Sequence, residues 1–248
     1  MTNRPVPHAG PVTALHLDVA TVQRVPDGAP EAFADAVIGR AAIGPLELDL
    51  TLCPGFDLLH EHERAWALQH APRRSREFVA GRVALRAALA RVGWDGGSPL
   101  LPSEQGRPGL PTGFTGSVTH KDGQALAIAR RLDGSRTLGI DSEVVGLRER
   151  SAIARKVLTD AELARWERTR SWPLLLESFS LKEAIYKALH PHVPRYIAFT
   201  EADIAPDGGI TMTLAQGEGP YRLVGWWWWE GPVGPHRRLV SICEARPG

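Results

Sequence analysis

Gly139-Ile140-Asp141-Ser142-Glu143 closes an apolar run with two carboxylates at i and i+2. On a strand those positions share a face, so both acids point the same way where the chain leaves its sheet. About forty residues on, Phe179-Ser180-Leu181-Lys182-Glu183-Ala184-Ile185-Tyr186-Lys187 sets a carboxylate between two lysines on a helical pattern. The chain has four lysines against twenty-five arginines, and two of the four lie in that one segment. Three carboxylates and two ammonium groups brought to one point would hold a hard metal ion against a phosphate-bearing cofactor.

Around these segments the pattern repeats an order of elements. A helix is expected from about Arg74 to Val92, where Phe78, Leu85, Leu89 and Val92 recur at helical spacing and Gly93 stops it. Residues 93–116 are rich in glycine and proline and read as loop. Strands follow near 116–119, 125–129 and 137–141, with Asp133-Gly134 as a turn between the last two. Thr159 with Glu162 is a capping-box signature. A third helix opens at Ser171-Trp172-Pro173 and breaks at His190-Pro191. Strands are expected near 196–204, 210–214, 221–229 and 238–244, and one or two more within the ragged residues 1–44. Each half thus reads as a long amphipathic helix, a broken loop and antiparallel strands. The expectation is an α+β fold of two similar lobes, a pseudo-dimer in one chain, with a cleft between them. The lobes are drawn as 1–143 and 144–248, one informative segment in each.

At 248 residues, 43% hydrophobic and 23% charged, the chain has an ordinary globular composition. A net charge of +1 argues against a dedicated nucleic-acid binder. No stretch reaches the ~18 apolar residues of a bilayer span, and the N-terminus has no apolar signal core. Cys53 and Cys243 lack metal-type spacing and suit a reducing compartment, with a single bridge between them left open. Trp226-Trp227-Trp228-Trp229 reads as a strand sending alternate rings into the core and out to solvent, with a sugar-stacking or membrane surface as the other reading.

Each chemical feature also has a plain structural reading. Two acids at a strand end suit a solvated edge, and Glu183 with Lys187 suits an i,i+4 surface pair of about 0.3 kcal/mol. A lone His120 is commonly a surface or capping residue. Arg73, Arg74, Arg76, Arg82, Arg86 and Arg91 on the first helix form either a solvated face or a phosphate-docking one.

Their order along the chain changes the weighing. An arginine-bearing helix, then Ser117-Val118-Thr119-His120, then Gly139-Ile140-Asp141-Ser142-Glu143, then Phe179-Ser180-Leu181-Lys182-Glu183 with Lys187, resembles the phosphopantetheinyl transferase superfamily. The likeness is to its compact pseudo-dimeric type and spans about residues 73–190. It implies transfer of the phosphopantetheine arm of coenzyme A to a serine of a carrier protein, with release of adenosine bisphosphate. Carried over, the pattern makes Asp141, Glu143 and Glu183 the Mg²⁺-binding carboxylates. Lys182 and Lys187 would meet the coenzyme A phosphates, and Thr119-His120 with Arg74 and Arg82 the 3′-phosphate. Glu183 would take the serine proton, directly or through water, and Lys182 would assist the departing phosphate. Gln105-Gly106-Arg107-Pro108 resembles the family's Gly-Lys-Pro element, with Arg for Lys.

The resemblance further implies a cytoplasmic monomer serving acyl or peptidyl carrier domains of polyketide or nonribosomal peptide synthases. Neither nucleic acid nor membrane is an expected partner. The carrier surface is expected beside the 93–114 loop and Val144, Val145 and Leu147, with Arg148 and Arg150 steering an acidic partner. Two rivals stand: a non-catalytic carrier-protein or nucleic-acid-binding module, and another Mg²⁺-dependent nucleotide phosphotransferase. The second lacks a Walker or G-x-G-x-x-G loop.

Overall fold

Small residues on one face of each central strand decide how the halves are built. In the computed structural model, which describes residues 19–103, 106–146 and 151–248, Ala125, Ala127 and Ala129 alternate along β4 (Gln124–Arg131) with Leu126 and Ile128. The alanine face lies under α2 (Pro72–Arg91), against Phe78, Val79, Val83, Ala84 and Ala88. The larger face turns the other way, onto Leu138 and Ile140 of β5 (Thr137–Val144) and Val240 and Ile242 of β9 (Arg238–Pro247). Beyond that second sheet, Cys243 and Ala245 meet Leu181, Ala184, Ile185 and Ala188 of α5 (Trp172–Leu189). The result is four layers: helix, sheet, sheet, helix. Alanine and glycine let each helix approach its sheet closely, while leucine, isoleucine and valine fill the space between the sheets.

The first sheet has the order β1-β2-β4-β3, with β1 (Ala20–Arg24), β2 (Val37–Ala42) and β3 (Phe114–Lys121) all antiparallel to their neighbours. The second has the order β5-β9-β8, with β8 (Tyr221–Glu230), again antiparallel. A small pair, β6 (Ala202–Ile204) and β7 (Ile210–Met212), stands apart. Short helices α1 (Glu61–Leu68), α3 (Ala154–Val157) and α4 (Asp160–Trp166) complete the order. Among the described residues no helix is long and apolar enough to cross a membrane.

Several expectations need correction. Asp133-Gly134 makes the expected turn, with Arg136 N–H donating to the Asp133 carbonyl at 3.3 Å, but it does not join a hairpin, because β5 hydrogen-bonds β9 of the second sheet and not β4. The helix-facing residue Gly139 must lie under α5, which places its strand in that sheet. A lobe division at 143/144 therefore cuts β5 from its own hydrogen-bonding partners, and the chain passes between sheets at residues 132–136. Of the strand expected at 196–204 only Ala202–Ile204 forms. The preceding turn is a 3₁₀ helix whose capping residue Ala198 donates its N–H to Glu201 Oε1, and Arg195 pairs with Glu201 and Glu218. The tryptophan run alternates as expected, with all four rings half-buried. Trp226 and Trp228 stack at 5.0 Å against the inter-sheet core, and Trp227 and Trp229 pack on the α5 side. Helix α1 had no signal strong enough to be anticipated. The capping box is present, with Thr159 N–H donating to Glu162 at 2.8 Å. Both cysteines are buried free thiols. Gln105, Leu147, Arg148 and Arg150 lie outside the described residues.

Candidate active site

The two sheets meet edge to edge where β3 runs beside β5. Thr119 and Lys121 are two residues apart on β3, as Asp141 and Glu143 are on β5, so same-face side chains meet in two rungs. Thr119 Oγ1 donates to Asp141 Oδ1 at 3.2 Å, and Lys121 Nζ lies 2.6 Å from Glu143 Oε2. Arg238 clamps the junction, donating to Ser142 Oγ at 2.9 Å and to the Lys121 carbonyl at 3.2 Å.

Helix α5 closes this group from above. Ser180, Glu183 and Lys187 fall at spacings of three and four, on one helical face. Ser180 Oγ donates to Asp141 Oδ2 at 2.9 Å, and Lys187 Nζ to Asp141 Oδ1 at 2.8 Å and the Ile140 carbonyl at 2.9 Å. Burial pushes the Glu183 carboxyl above its usual range, Lys187 pulls it back, and Asp141 and Glu143 repel its charge. Glu143 is raised in the same way, by burial first, with Lys121 opposing and Asp141 adding repulsion. The three acids therefore sense one another. Among the described residues Glu183 has no hydrogen-bond or ion-pair partner.

Lys182 is not part of this cluster. It lies 100° around the helix from Glu183, and its ammonium is buried against Glu162 Oε2 at 2.5 Å and the Val157 carbonyl at 2.8 Å. Glu162 also accepts from the Ile204 N–H at 2.9 Å. The pair ties α5 to α3, α4 and β6 as a structural anchor.

On the first lobe, His120 projects from the opposite face of β3 to Thr119. Its Nε2 is 3.9 Å from Glu77 Oε2, while Glu77 Oε1 takes Arg73 Nε at 3.0 Å. Burial holds the imidazole below its usual range, against Glu77, and both Lys187 and Arg74 add to the lowering. His120 therefore feels the charges of both Lys187 and Arg74, while its nearest charged neighbour is Glu77. Arg82 is buried, stacks 4.5 Å from the Phe78 ring and donates through Nε to the Leu100 carbonyl. Burial lowers its guanidinium to about 10. Its two terminal nitrogens have no hydrogen-bond partner among the described residues.

The arginine helix is neither of the two things anticipated as a whole. Arg76 donates to the carbonyls of Pro45, Leu46 and Leu48. Arg86 takes Glu63 and the carbonyls of Gly96 and Ser98. These arginines hold loops onto the helix, and the sequence offers no sign of which ones do so. Arg107 sits near Tyr186 and His190, its Nε buried without a partner.

Sequence reasoning missed Lys121, Ser180, Glu77 and Arg238. Lys121 had a usable signal: a lysine, scarce here, two residues after Thr119 on the same strand face. The donor set is all carboxylate, which suits Mg²⁺, and mutual repulsion among the acids favours a cation. Asp141, Glu143 and Glu183 are therefore chemically fit to hold one. Among the described residues, however, no three acidic, histidine or cysteine side chains stand close enough to enclose an ion. Lysine ammonium groups occupy two of the acids instead.

Two family models match this chain. One describes the 4′-phosphopantetheinyl transferase N-terminal domain and covers residues 61–130; the other describes the 4′-phosphopantetheinyl transferase superfamily and covers residues 137–230. Curated relatives agree. The 4′-phosphopantetheinyl transferase Svp of Streptomyces mobaraensis is 39% identical over 66% of this chain and 68% of its own length. PptT of Mycobacterium tuberculosis is 34% identical over 61% and 66%, and Npt of Nocardia iowensis 33% over 58% and 65%, both carrying the same enzyme name. The chain thus spans about two thirds of the length of each relative. With the matches falling on both sides of the β3–β5 junction, the chain is a transferase of the 4′-phosphopantetheinyl transferase superfamily.

Proposed function

We propose that this protein moves the 4′-phosphopantetheine arm of coenzyme A onto a serine hydroxyl of a carrier protein, with Mg²⁺, releasing adenosine 3′,5′-bisphosphate. The observation that carries this reading is the pairing of Asp141 on β5 with Lys187 on α5 at the seam of the two lobes, where Glu143 and Glu183 both feel the Asp141 charge. One end of that seam is acidic and suits a metal ion. The other is cationic and suits phosphate.

Asp141, Glu143 and Glu183 would hold Mg²⁺, which when bound supplies charge neutralisation at the pyrophosphate. Lys187, paired with Asp141 at the seam, would meet the phosphate nearest the reacting bond. His120, Arg74 and the free end of Arg82 would take the 3′-phosphate. Glu183, raised by burial and without a protein partner among the described residues, is suited to accept the serine proton directly or through water. Lys182 holds α5 in place, so that Glu183 and Lys187 face the seam. The natural acceptors are proposed to be carrier domains of polyketide or nonribosomal peptide synthases, met by a cytoplasmic monomer. The paired lobes supporting one seam and the two free thiols favour that picture.

The test is incubation of the purified chain with coenzyme A, Mg²⁺ and an apo carrier protein. Intact-mass spectrometry should show one phosphopantetheine added, with stoichiometric adenosine bisphosphate. A folded protein that leaves several apo carriers unmodified at saturating Mg²⁺ would sink the proposal.

A further inference from the structure

Lys121 belongs to neither of the segments that first mark the chemistry, yet it touches one of the acids. It ends β3, one rung beyond Thr119, with its ammonium 2.6 Å from Glu143. Its backbone is fixed, because Arg238 donates to its carbonyl. Its side chain is less constrained, being 37% exposed while that of Glu143 is 14% exposed.

The other two site-region lysines differ. Lys187 is gripped by two oxygens, those of Asp141 and the Ile140 carbonyl. Lys182 is sealed against Glu162. Among the described residues the Lys121 ammonium has the one contact, on a flexible four-carbon stem that can swing without moving the strand. A half-exposed pair of this kind is weakly held.

We propose that Lys121 is an exchangeable counter-ion: its ammonium holds Glu143 until a divalent cation takes that carboxylate, and then turns to the phosphates of the bound nucleotide. This rests on the coenzyme A reading. A divalent cation at Glu143 repels an ammonium 2.6 Å from the same oxygen. The pyrophosphate arriving with that cation offers the displaced charge a new partner. Lys121 therefore competes with metal and assists coenzyme A, two effects of opposite sign on binding. A residue that merely supports Glu143 would give losses of one sign.

The experiment is calorimetric titration of wild type, Lys121→Met and Lys156→Met, the last a lysine on α3 outside the cluster. With Mg²⁺ alone, Lys121→Met should bind about two- to fivefold more tightly than wild type, and Lys156→Met should match wild type. With coenzyme A at saturating Mg²⁺, Lys121→Met should bind roughly tenfold more weakly. Unchanged or weaker Mg²⁺ binding in Lys121→Met overturns the role, as does coenzyme A binding that stays the same or tightens. If wild type binds Mg²⁺ and modifies a carrier while Lys121→Met titrates like wild type, only the Lys121 role falls. Wild type that binds no Mg²⁺ and modifies no carrier brings down both readings.

Discussion

Gly39 and Gly139 occupy matching places in the two lobes. A Cβ built on Gly39 would lie 2.0 Å from the Ala84 carbonyl oxygen and 3.3 Å from the Ala88 Cβ. One built on Gly139 would lie 1.9 Å from the Ala184 carbonyl oxygen and 2.7 Å from the Ala188 nitrogen. Each helix therefore rests an Ala-x-x-x-Ala ridge on a strand glycine, and the same contact sets the height of α2 and α5 above their sheets. Asp141 is two residues from Gly139, so this contact also sets the distance from the strand acids to Glu183.

Gly139→Ala should consequently push α5 away from β5. The clash is with helix backbone, which cannot turn aside as a side chain can, so a loss of about 1–3 kcal/mol is expected. Urea denaturation will measure it, and Gly39→Ala should behave alike. Transfer should suffer more in Gly139→Ala, because only α5 carries Glu183. Equal urea midpoints for Gly139→Ala and wild type would show that the helix does not rest there.

The long helices, the capping box at Thr159 and most of the strands were legible because each has a local cause: apolar period, cap residue, stop. The approach of Lys187 to Asp141 was suggested by two short segments in a recognisable order, one of them holding two of the four lysines. What stayed hidden depends on distant partners. The pairing of β5 with β9 is set by which helix must cover Gly139, and strand pattern alone does not say so. Lys182 and Lys187 look equivalent in sequence, yet Glu162, twenty residues earlier, draws one of them away. The arginines of α2 are split among loop carbonyls that no spacing reveals.

Lys182→Met should act through stability. It leaves Glu162 buried without its counter-charge, a loss on the order of 3–5 kcal/mol. Adding Glu162→Gln should return part of that stability, because a neutral amide keeps a hydrogen-bonding group near the Thr159 and Ile204 amides without a buried charge. Denaturant titrations of both variants, alongside the KM for coenzyme A, separate the roles. If Lys182→Met is as stable as wild type and only KM rises, Lys182 is a phosphate contact after all.

Cys53 and Cys243 are both buried, and burial pushes the Cys243 thiol far above its usual range. A thiol that is neutral and covered does not attack disulfide reagents. Ellman's reagent at pH 8 should therefore find almost no reactive thiol in the folded protein and two in guanidinium, without prior reductant. Fewer than two in guanidinium would mean that the thiols pair.

Glu183→Gln should raise stability while removing activity. Burial raises the Glu183 carboxyl, Lys187 opposes the rise, and repulsion from Asp141 and Glu143 adds to it. A carboxyl raised in the fold binds its proton more tightly folded than unfolded, so ionising it costs stability. That cost is absent at pH values below the unfolded carboxyl range and grows as pH rises through the raised carboxyl range. In a chelating buffer at pH 7 the variant should therefore melt above wild type. The gap should narrow as pH falls through the raised carboxyl range and close below about pH 4. Transfer should drop about 10²- to 10⁴-fold, the usual worth of a positioned base. Thermal scans at several pH values and carrier-modification rates at pH 7 provide both readouts. A variant that melts below wild type at pH 7 would show that Glu183 has a stabilising partner, and retained transfer would remove it from the chemistry.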